Sequence, residues 1–363
     1  MSSREKKIAI YLYDIRNRNV GLGEFAYQLG TYIANRASEL RKDYGIQFIF
    51  IVPPGFESCF GSEVAYSVFT KGLRKFYLRY FLKVDLCHVI HQLTRLKYMR
   101  CAQTNLMTLH DLNFLYEKKG KTLDKYKKKI KKALERCSQT SYISHFVKMD
   151  VERNFTPQNE GEVIYNGVAD LTSVQGDFSR FGLEKNGYFF HISSLMPKKN
   201  VHLLIEMMKF LPEEKLVIVG NLKTFYAKQL MNRVVELGLN NVLMFDHVSN
   251  EDKAELYRNC KAFLFPSLCE GFGMPPIEAM YFGKPVFLSS LTSLPEIGGD
   301  CAYYYDDLSP ESMASVTRKG MSEFESDKKN NASKIVSRAK IYNWTSCSEK
   351  YIGLYLKILG LGK

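Results

Sequence analysis

The stretch KAFLFPSLCEGFGMPPIEAM, residues 261–280, decides the fold. Residues 262–265 form a short, almost wholly apolar run before Pro266, which is typical of a buried parallel strand. A glycine-containing loop follows. Pro275 and Pro276 then open a helical pattern, at positions where a missing N–H is tolerated. The stretch therefore predicts a strand, a glycine loop and a helix, which is the repeating unit of doubly wound α/β sheets.

Two glutamates, Glu270 and Glu278, flank this loop. Ligands of open α/β sheets bind at the carboxyl ends of the strands, and a helix N-terminus there suits phosphate. Gly271 and Gly273 allow the backbone to approach a ligand closely. Because about two helical turns separate the carboxylates, we expect them to bind two different polyols, a ribose and a hexose. The alternative is a pair of exposed charges beside an ordinary turn.

Apolar segments alternate with helical patterns twice along the chain. A chain of 363 residues exceeds the size of one hydrophobic core, so we expect two doubly wound domains. Their limits are predicted at residues 1–170 and 171–343, followed by a helix over 344–363. The strand segments are 7–13, 45–52, 84–90, 105–110, 140–144 and 162–168 in the first domain, and 188–193, 215–220, 241–245, 261–265, 285–289 and 303–305 in the second.

Composition narrows the class of protein. With 45% hydrophobic residues the chain is globular. No run approaches 18 apolar residues, and the first apolar run is stopped by Asp14 and Arg16, so we expect neither a spanning helix nor a secretory signal and predict a cytoplasmic location. Eight cysteines without CxxC spacing argue against a zinc site or a disulfide framework.

Residues 267–307, SLCEGFGMPPIEAMYFGKPVFLSSLTSLPEIGGDCAYYYDD, resemble the donor-site signature of glycosyltransferase family 4 almost position for position. The resemblance implies a GT-B fold, in which two Rossmann-like domains face each other across a cleft and a C-terminal helix crosses back to the first domain. It also implies a retaining hexosyltransferase that needs neither metal nor other cofactor and uses a nucleotide sugar as donor. The motifs are most similar to those of mannosyltransferases that use GDP-mannose, with a UDP-sugar as the other option.

The resemblance also implies roles for individual residues. Glu270 would hold the donor sugar and Glu278 the ribose, and His110, in TLHDLNF, would face the donor sugar. Gly21 and Gly23, in VGLGEF, resemble a glycine loop under the diphosphate, although the missing third glycine argues against a dinucleotide fingerprint. The remaining donor-binding positions are Gly271, Phe272, Gly273, Met274, Thr292 and Ser293.

The chain departs from the family pattern after the first strand of the second domain. Many relatives have Gly-Arg-Leu-x-x-x-Lys, whereas this chain has SSLMPKK, with Ser194 at the arginine position. Lys199 matches the family lysine and Lys198 stands beside it, so two cations remain to stabilise a departing diphosphate. We rank Lys199 above Lys198 and name Glu270, His110 and Lys199 as catalytic candidates. The alternative is a solvated basic turn.

No carboxylate nucleophile can be named from the sequence. The resemblance therefore implies front-face attack by the acceptor, with the leaving phosphate taking the acceptor proton. No DxD motif requires a metal ion. The expected acceptor is a glycan or a lipid-linked glycan in the assembly of cell-surface polysaccharide or lipopolysaccharide.

The positive charge is concentrated in two segments. Residues 118–136 hold ten Lys or Arg against Asp124 and Glu135, and residues 71–83 hold five with no acid, which together equal the net charge of +13. The second segment, KGLRKFYLRYFLK, predicts a basic helix with an aromatic face that either docks on an anionic membrane or packs into the core. Three other functions stay open: a nucleic-acid-binding protein, for which no known module is present, a sugar-nucleotide epimerase, and an inactive scaffold.

Overall fold

The computed structural model describes residues 4–17, 21–70, 72–94, 96 and 99–362, and only the backbone of 73–75 and 79. The chain divides into two compact units. The first comprises Met1–Gly167 and Trp344–Lys363, and the second comprises Val168–Asn343. The chain therefore passes between units at 167–168 and 343–344, close to the sequence-based limits of 170 and 343.

Each unit contains one parallel sheet. The strands that the described part of the first unit forms are ordered β3-β2-β1-β4-β5-β6-β7, and the six strands of the second unit are ordered β10-β9-β8-β11-β12-β13. The strands are β1 Lys6–Tyr11, β2 Ile46–Val52, β3 Ala65–Val68, β4 Val84–Val89, β5 Ala102–Leu109, β6 Gln139–Tyr142, β7 Glu162–Val163, β8 Phe189–Ile192, β9 Leu216–Val219, β10 Val242–Phe245, β11 Ala262–Phe265, β12 Val286–Ser289 and β13 Tyr303–Tyr305.

Helices connect the strands. In the first unit the described residues form α1 Gly21–Tyr44, α2 Leu73–Tyr80, α3 Phe114–Glu117, α4 Gly120–Leu134 and α5 His145–Asn154. Seven lie in the second: α6 Val201–Met207, α7 Phe225–Glu236, α8 Asn250–Asn259, α9 Met274–Tyr281, α10 Leu294–Gly298, α11 Pro310–Ser326 and α12 Lys328–Ala339. Helix α13, Trp344–Ile358, returns to the first unit. Single 3-10 turns span Tyr13–Arg16, Phe178–Phe181, Pro197–Lys199, Met208–Phe210 and Gly299–Cys301.

The sheet of the first unit has a core on each face. One cluster joins β1 and β2 to α1 and α13, and it includes Phe25, Phe48 and Tyr351. The other covers the opposite side chains of the same strands and includes Tyr11, Leu78 and Cys87. Strands buried on both faces read as continuous apolar runs, which is why the sequence identified them.

The terminal helix is attached by polar contacts as well as apolar ones. The buried imidazole of His88 in β4 lies 2.7 Å from the Tyr355 hydroxyl and 2.8 Å from the Thr108 hydroxyl. Thr108 in turn lies 3.0 Å from the Tyr351 hydroxyl. This network satisfies polar groups on both sides of the contact, so it specifies how α13 lies against the sheet.

The fold class is confirmed as α/β with two doubly wound units. One strand was missed: β3 has the sequence AYSV and pairs in parallel with β2 at the edge of its sheet. An edge strand of four residues carries no apolar run, because only one side is paired and much of it stays near solvent. The predicted strand over 162–168 is shorter than expected, since only Glu162 and Val163 pair with β6.

Candidate donor site

The candidate site of the second unit lies where its strand order reverses. Neighbouring strands β8 and β11 continue in opposite directions, β8 toward β9 and β11 toward β12. The loops after β8 and β11 therefore diverge and leave a crevice at the carboxyl edge of the sheet, which is where doubly wound sheets bind ligands. Lys198 and Lys199 follow β8, and residues 266–273 follow β11. Topology thus brings together the two motifs that sequence identified separately.

Lys199 and Glu270 form an ion pair in this crevice. The Lys199 Nζ lies 2.5 Å from the Glu270 Oε1, and the two side chains are only 13% and 11% exposed. The ammonium also lies 5.1 Å from the centre of the Phe265 ring. A pair this poorly hydrated depends on each partner for compensation of its charge. The Lys199 ammonium and the Glu270 carboxylate therefore lie together in the crevice, and each is the counter-ion of the other.

Backbone contacts hold the two loops together. The carbonyl of Lys198 accepts hydrogen bonds from the Leu268 N–H at 2.8 Å and from the Ser267 hydroxyl at 3.2 Å. The basic turn after β8 is therefore tied directly to the start of the glutamate loop. A freely solvated turn, the alternative interpretation, would lack such contacts.

Glu278 lies on α9 and is held by two residues of α8. Its Oε1 accepts from the Lys253 ammonium at 2.8 Å and its Oε2 accepts from the Tyr257 hydroxyl at 2.9 Å. Burial and the Glu278 charge raise the pKa of Tyr257 well above its usual value, so this phenol remains a donor. Sequence reasoning missed Lys253 and Tyr257. The two residues lie four positions apart on α8, the helix before β11, and this spacing was the only sign in the sequence that they share one side of the helix.

Gly273, in the loop before α9, has a backbone conformation that favours glycine. Gly273 precedes α9 with φ of +107°, and a Cβ there would lie 2.9 Å from the Leu294 side chain. The backbone angle disfavours larger residues, whereas the contact could be relieved by a shift of the Leu294 methyl group. Pro275 and Pro276 lack an N–H, so the start of α9 offers a phosphate fewer backbone donors than an ordinary helix.

Thr292 and Ser293 support the loop with their side chains. The Thr292 hydroxyl accepts from the Glu270 N–H at 3.1 Å, and the Ser293 hydroxyl donates to the carbonyls of Glu270 and Phe272 at 3.1 and 2.9 Å. Phe272 is buried and packs edge-on against Tyr342. These side chains are occupied in positioning Glu270. Gly271 directly follows Glu270, and Met274 is the first residue of α9.

In the first unit, His110 follows β5 beside the point where that sheet reverses, between β1 and β4. Its Nε2 donates to the Ile90 carbonyl at 2.8 Å, which leaves Nδ1 with the lone pair. Burial lowers the pKa of His110 to about 4, so the ring is neutral at pH 7. Phe25 packs edge-on against it with ring centres 4.9 Å apart. A neutral ring in this tautomer can accept a hydrogen bond but does not supply a cation.

Gly21 and Gly23, which the resemblance places under the donor diphosphate, stand at the start of helix α1, and their contact with the diphosphate stays a prediction. Helix α1 already begins at Gly21, so both glycines belong to its first turn, while Val20 lies outside the described residues. A Cβ on Gly23 would lie 1.9 Å from the Asn17 carbonyl oxygen and 2.9 Å from that of Asp14. The helix therefore packs directly on the backbone that follows β1, and that contact explains the glycine.

Two doubly wound parallel sheets, the second with paired carboxylates and lysines at its switch point, define an α/β protein of the GT-B class. Residues 176–336 match the family model described as Glycosyl transferases group 1. This part of the chain, nearly all of the second unit, is therefore a group 1 glycosyltransferase domain. The sequence-based recognition is confirmed at that level.

Individual proteins are similar in sequence or in fold. The O-antigen chain mannosyltransferase RfbU of Salmonella typhimurium is 30% identical over 215 residues, which cover 58% of this chain and 59% of RfbU. Sucrose-phosphate synthase from Thermosynechococcus elongatus has a TM-score of 0.74 at 16% identity, covering 98% and 99% of the two chains. Anabaena HepE in complex with UDP and glucose has a TM-score of 0.71 at 17% identity, covering 97% and 100%.

These likenesses differ in what they show. The chain spans about half to three fifths of the length of the first curated relatives it matches. The two solved structures have low identity to this chain, so they establish the fold alone. Family membership therefore rests on the second unit, which contains the Lys199–Glu270 pair.

Proposed function

We propose that this chain is a retaining, metal-independent hexosyltransferase that moves a hexose from a nucleotide sugar to a glycan or lipid-linked acceptor in cell-surface polysaccharide or lipopolysaccharide assembly. The observation that carries the proposal is the poorly hydrated Lys199–Glu270 pair at the switch point of the second sheet. Its two charges match the two halves of a nucleotide sugar. The cation suits the diphosphate, and the carboxylate accepts hydrogen bonds from sugar hydroxyls.

Binding of the donor would exchange partners within this pair. Lys199 would move from Glu270 to the diphosphate, and Glu270 would accept from the hydroxyls of the sugar. Charge on the departing phosphate grows in the transition state, so a fixed cation there lowers the barrier more than it strengthens ground-state binding. Lys198, on the same turn, would add a second, weaker contribution, because Lys199 is the residue that matches the family lysine.

The transfer of the hexose needs no reactant other than the donor and the acceptor. The bond between the anomeric carbon and the phosphate oxygen breaks while the acceptor oxygen bonds to the same face of that carbon. The acceptor hydroxyl proton passes to the leaving phosphate oxygen. Glu278, oriented by Lys253 and Tyr257, would bind the ribose hydroxyls. His110, neutral and with Nδ1 as acceptor, is the candidate of the first unit for a hydroxyl of the donor sugar.

GDP-mannose is the favoured donor. The support is the mannosyltransferase name of RfbU, together with the similarity of PKKN and EGFGMPPIEAM to mannosyltransferase motifs. A UDP-hexose is the second candidate, because HepE, which shares the fold, was solved with UDP and glucose. The proposed location is cytoplasmic, at the inner face of the membrane, where a lipid-linked acceptor would be met.

The test is thermal stabilisation by a panel of GDP, UDP and their hexose conjugates, because a ligand that binds only the folded state raises Tm. We expect GDP-mannose to give the largest shift and Glu278→Ala to abolish it. Glu325→Ala is the matched control, since Glu325 pairs with Lys328 on the exposed surface of the same unit. The released sugar, followed by NMR with EDTA present, should first appear as the anomer of the donor.

Other outcomes would replace the proposal. Shifts with UDP conjugates alone would change the donor but keep the reaction. Conversion of the nucleotide sugar to an isomer without an acceptor would indicate an epimerase. No shift with any nucleotide would contradict the donor site and favour a scaffold, and steeply salt-dependent binding of nucleic acid would indicate the remaining class.

A further inference from the structure

We propose that His191 is a positioning residue for the transfer reaction: through a hydrogen bond with Ser193 it holds the turn between β8 and Lys199, and so fixes the Lys199 ammonium where the diphosphate departs. The inference deepens the proposed function and rests on it, because the cation that is positioned is the one assigned to the diphosphate. His191 and Ser193 do not contact the donor in this role. They act through the backbone that carries Lys199.

His191 lies in β8, beside the switch point of the second sheet, and its side chain is completely buried. The imidazole stacks on the Phe265 ring of the neighbouring strand β11, with ring centres 5.5 Å apart and planes 22° apart. The Lys199 ammonium lies 5.1 Å from the centre of the same phenyl ring. Phe265 is therefore a shared neighbour of the buried histidine and of the cation.

The two ring nitrogens of His191 have different partners, and these partners define its tautomer. Nδ1 lies 2.8 Å from the Leu264 carbonyl oxygen, which can only accept, so Nδ1 carries the proton and donates it. Burial lowers the pKa of His191 to about 4, so the ring is neutral at pH 7 and Nε2 keeps its lone pair. Nε2 lies 2.9 Å from the Ser193 hydroxyl and accepts from it. The imidazole thus links β11 to the residue that follows β8.

Ser193 extends this link to the turn. Its Oγ accepts from the Leu195 N–H at 3.2 Å, while its proton points to the imidazole. Leu195 has φ of +46°, a left-handed conformation that leucine rarely adopts. The Leu195 side chain is buried, and a Cβ on Gly220 would lie 2.5 Å from its Cγ. The bend is therefore held by a hydrogen bond to its backbone and by packing around its side chain.

The bend at Leu195 sets the course of the chain toward Lys199. Pro197–Lys199 forms a 3-10 turn, in which the Lys199 N–H donates to the Met196 carbonyl at 2.8 Å. Because these residues have a fixed local conformation, the direction in which the chain leaves Leu195 decides where the lysine begins. Without the Ser193 hydroxyl, the Leu195 N–H would lose the acceptor that it has here, which disfavours this conformation of the bend.

The link coincides with the departure from the Gly-Arg-Leu pattern. Glycine at position 193 would have no hydroxyl, so it could neither donate to His191 nor accept from Leu195. Ser194 at the arginine position leaves Lys199 as the main candidate cation of this turn. A lysine ammonium is a point charge without the fixed fork of an arginine, so its placement depends more on the backbone that carries it. The hydrogen bonds of Ser193 supply that placement.

The test is steady-state kinetics of donor hydrolysis, with the nucleotide sugar that raises Tm most. Ser193→Ala and His191→Phe should each lower kcat about tenfold and change KM less than about threefold, because a displaced cation is missed most in the transition state. The double variant should lose no more than either single variant, since both changes break one link. His191→Gln keeps an acceptor near the position of Nε2 and should retain more of kcat than His191→Phe. Should His191→Phe not fold, Ser193→Ala, which removes a single oxygen atom, tests the same link.

Two comparisons separate positioning from stability. In a Lys199→Ala background, Ser193→Ala should lower kcat no further, because the cation that it positions is absent; a smaller folded fraction would lower kcat by the same factor in both backgrounds. Tyr305→Phe is the matched control, since it removes a buried hydroxyl that lies 2.9 Å from the Thr317 hydroxyl in the same unit. It should lower Tm as Ser193→Ala does and leave kcat unchanged.

The state of the imidazole can be measured without any donor. Nitrogen NMR of the chain with isotopically labelled histidine at pH 7, assigned with His191→Phe, should show a protonated Nδ1 and an unprotonated Nε2 for His191. Ser193→Ala should shift the Nε2 resonance, because that nitrogen loses its donor. A protonated Nε2 in the parent chain would overturn the proposal.

The kinetic results can overturn the proposal in three further ways. These are an unchanged kcat in Ser193→Ala, an equal loss of kcat in Ser193→Ala with and without Lys199, and a loss of the same size in Tyr305→Phe. In each case the activity of the parent chain would leave the proposed function intact. A parent chain that hydrolyses no nucleotide sugar would overturn the proposed function and the positioning role together, so the parent alone distinguishes the two failures.

Discussion

The two units of this protein share a topology and differ in the chemistry at its switch point. Each sheet reverses its strand order between the first strand of the unit and a later neighbour, β4 in the first and β11 in the second. At that place the second unit holds ion pairs, Lys199 with Glu270 and, on the adjoining helices, Lys253 with Glu278. The first unit holds a neutral, buried histidine packed against Phe25.

The position of a site therefore follows from the fold, whereas its chemistry follows from individual side chains. Charged groups at the second switch point suit a charged diphosphate. A neutral histidine at the first suits hydrogen bonding to an uncharged hydroxyl. Exposed lysines of the first unit lie elsewhere, on α4.

The largest expected effect concerns the charged switch point. Lys199→Ala should lower kcat for donor hydrolysis about 10²–10³-fold, because it removes a fixed cation from the departing phosphate. Lys198→Ala, the neighbouring control, should lower kcat less than about tenfold, since Lys199 is the residue that matches the family lysine. Steady-state kinetics on both variants decide the matter. Equal losses in the two would contradict the ranking of the lysines.

The second effect concerns stability at low pH, because acid should destabilise the first unit more than the second. Burial lowers the pKa of His88 and His91 to about 3 and of His110 to about 4 in the first unit, and that of His191 to about 4 in the second. Unfolded histidines bind protons near pH 6.5, so below that pH the unfolded chain binds more protons. The free energy of unfolding should therefore fall as pH drops from about 6.5 to 4, by up to about 1.4 kcal/mol per pH unit for each histidine.

Tryptophan fluorescence can follow the first unit separately, because Trp344 is the single tryptophan and lies in that unit. When the pH is lowered from 7 to 5, the urea midpoint followed by fluorescence should fall more than the midpoint of the circular dichroism transition that belongs to the second unit. His88→Gln should reduce the pH dependence of the fluorescence midpoint. A midpoint that does not change between pH 7 and pH 5 would show that these histidines are not buried as neutral groups.

The smallest expected effect is on stability, in alanine variants of two helical glycines, Gly23 and Gly353. Gly23→Ala should destabilise the protein by about 1–3 kcal/mol, because the added methyl meets backbone that cannot move away easily. Gly353 on α13 is exposed with open space around its Cβ position, so Gly353→Ala should stabilise by about 0.5–1 kcal/mol. Urea midpoints measure both. Destabilisation of similar size in the two variants would refute the packing explanation for Gly23.

The second unit was read from sequence more fully than the first. Its strands are short apolar runs bounded by glycine, proline or polar residues, and its glutamate loop follows the last such run before a proline-led helix. Such patterns can be recognised in the sequence, because residues close together in the chain are enough to favour the strand, the loop or the helix. In the first unit, the four-residue edge strand β3 and the helical start at Gly21 went unrecognised, because both depend on what the neighbouring segments provide.

The candidate site shows the same division. Glu270, Glu278, Lys198 and Lys199 could be named from residue types and spacing. Lys253 and Tyr257 could not, since their role depends on α8 packing beside α9, and nothing in an isolated helix specifies that neighbour. The hydroxyls of Thr292 and Ser293 hold the backbone of the glutamate loop, and the donor contact expected at these two positions stays a prediction.

Sequence by itself determined two doubly wound units, the terminal helix and the residue types of the donor motif, because hydrophobic periodicity, glycine and proline act over a few residues. Only the tertiary structure decided that Lys199 pairs with Glu270 across 71 residues of chain, that His110 is neutral with Nδ1 as its acceptor, and that Phe76 and Tyr77 face solvent. Pairing, burial and tautomer depend on groups distant in sequence, and no local pattern records which of them become neighbours.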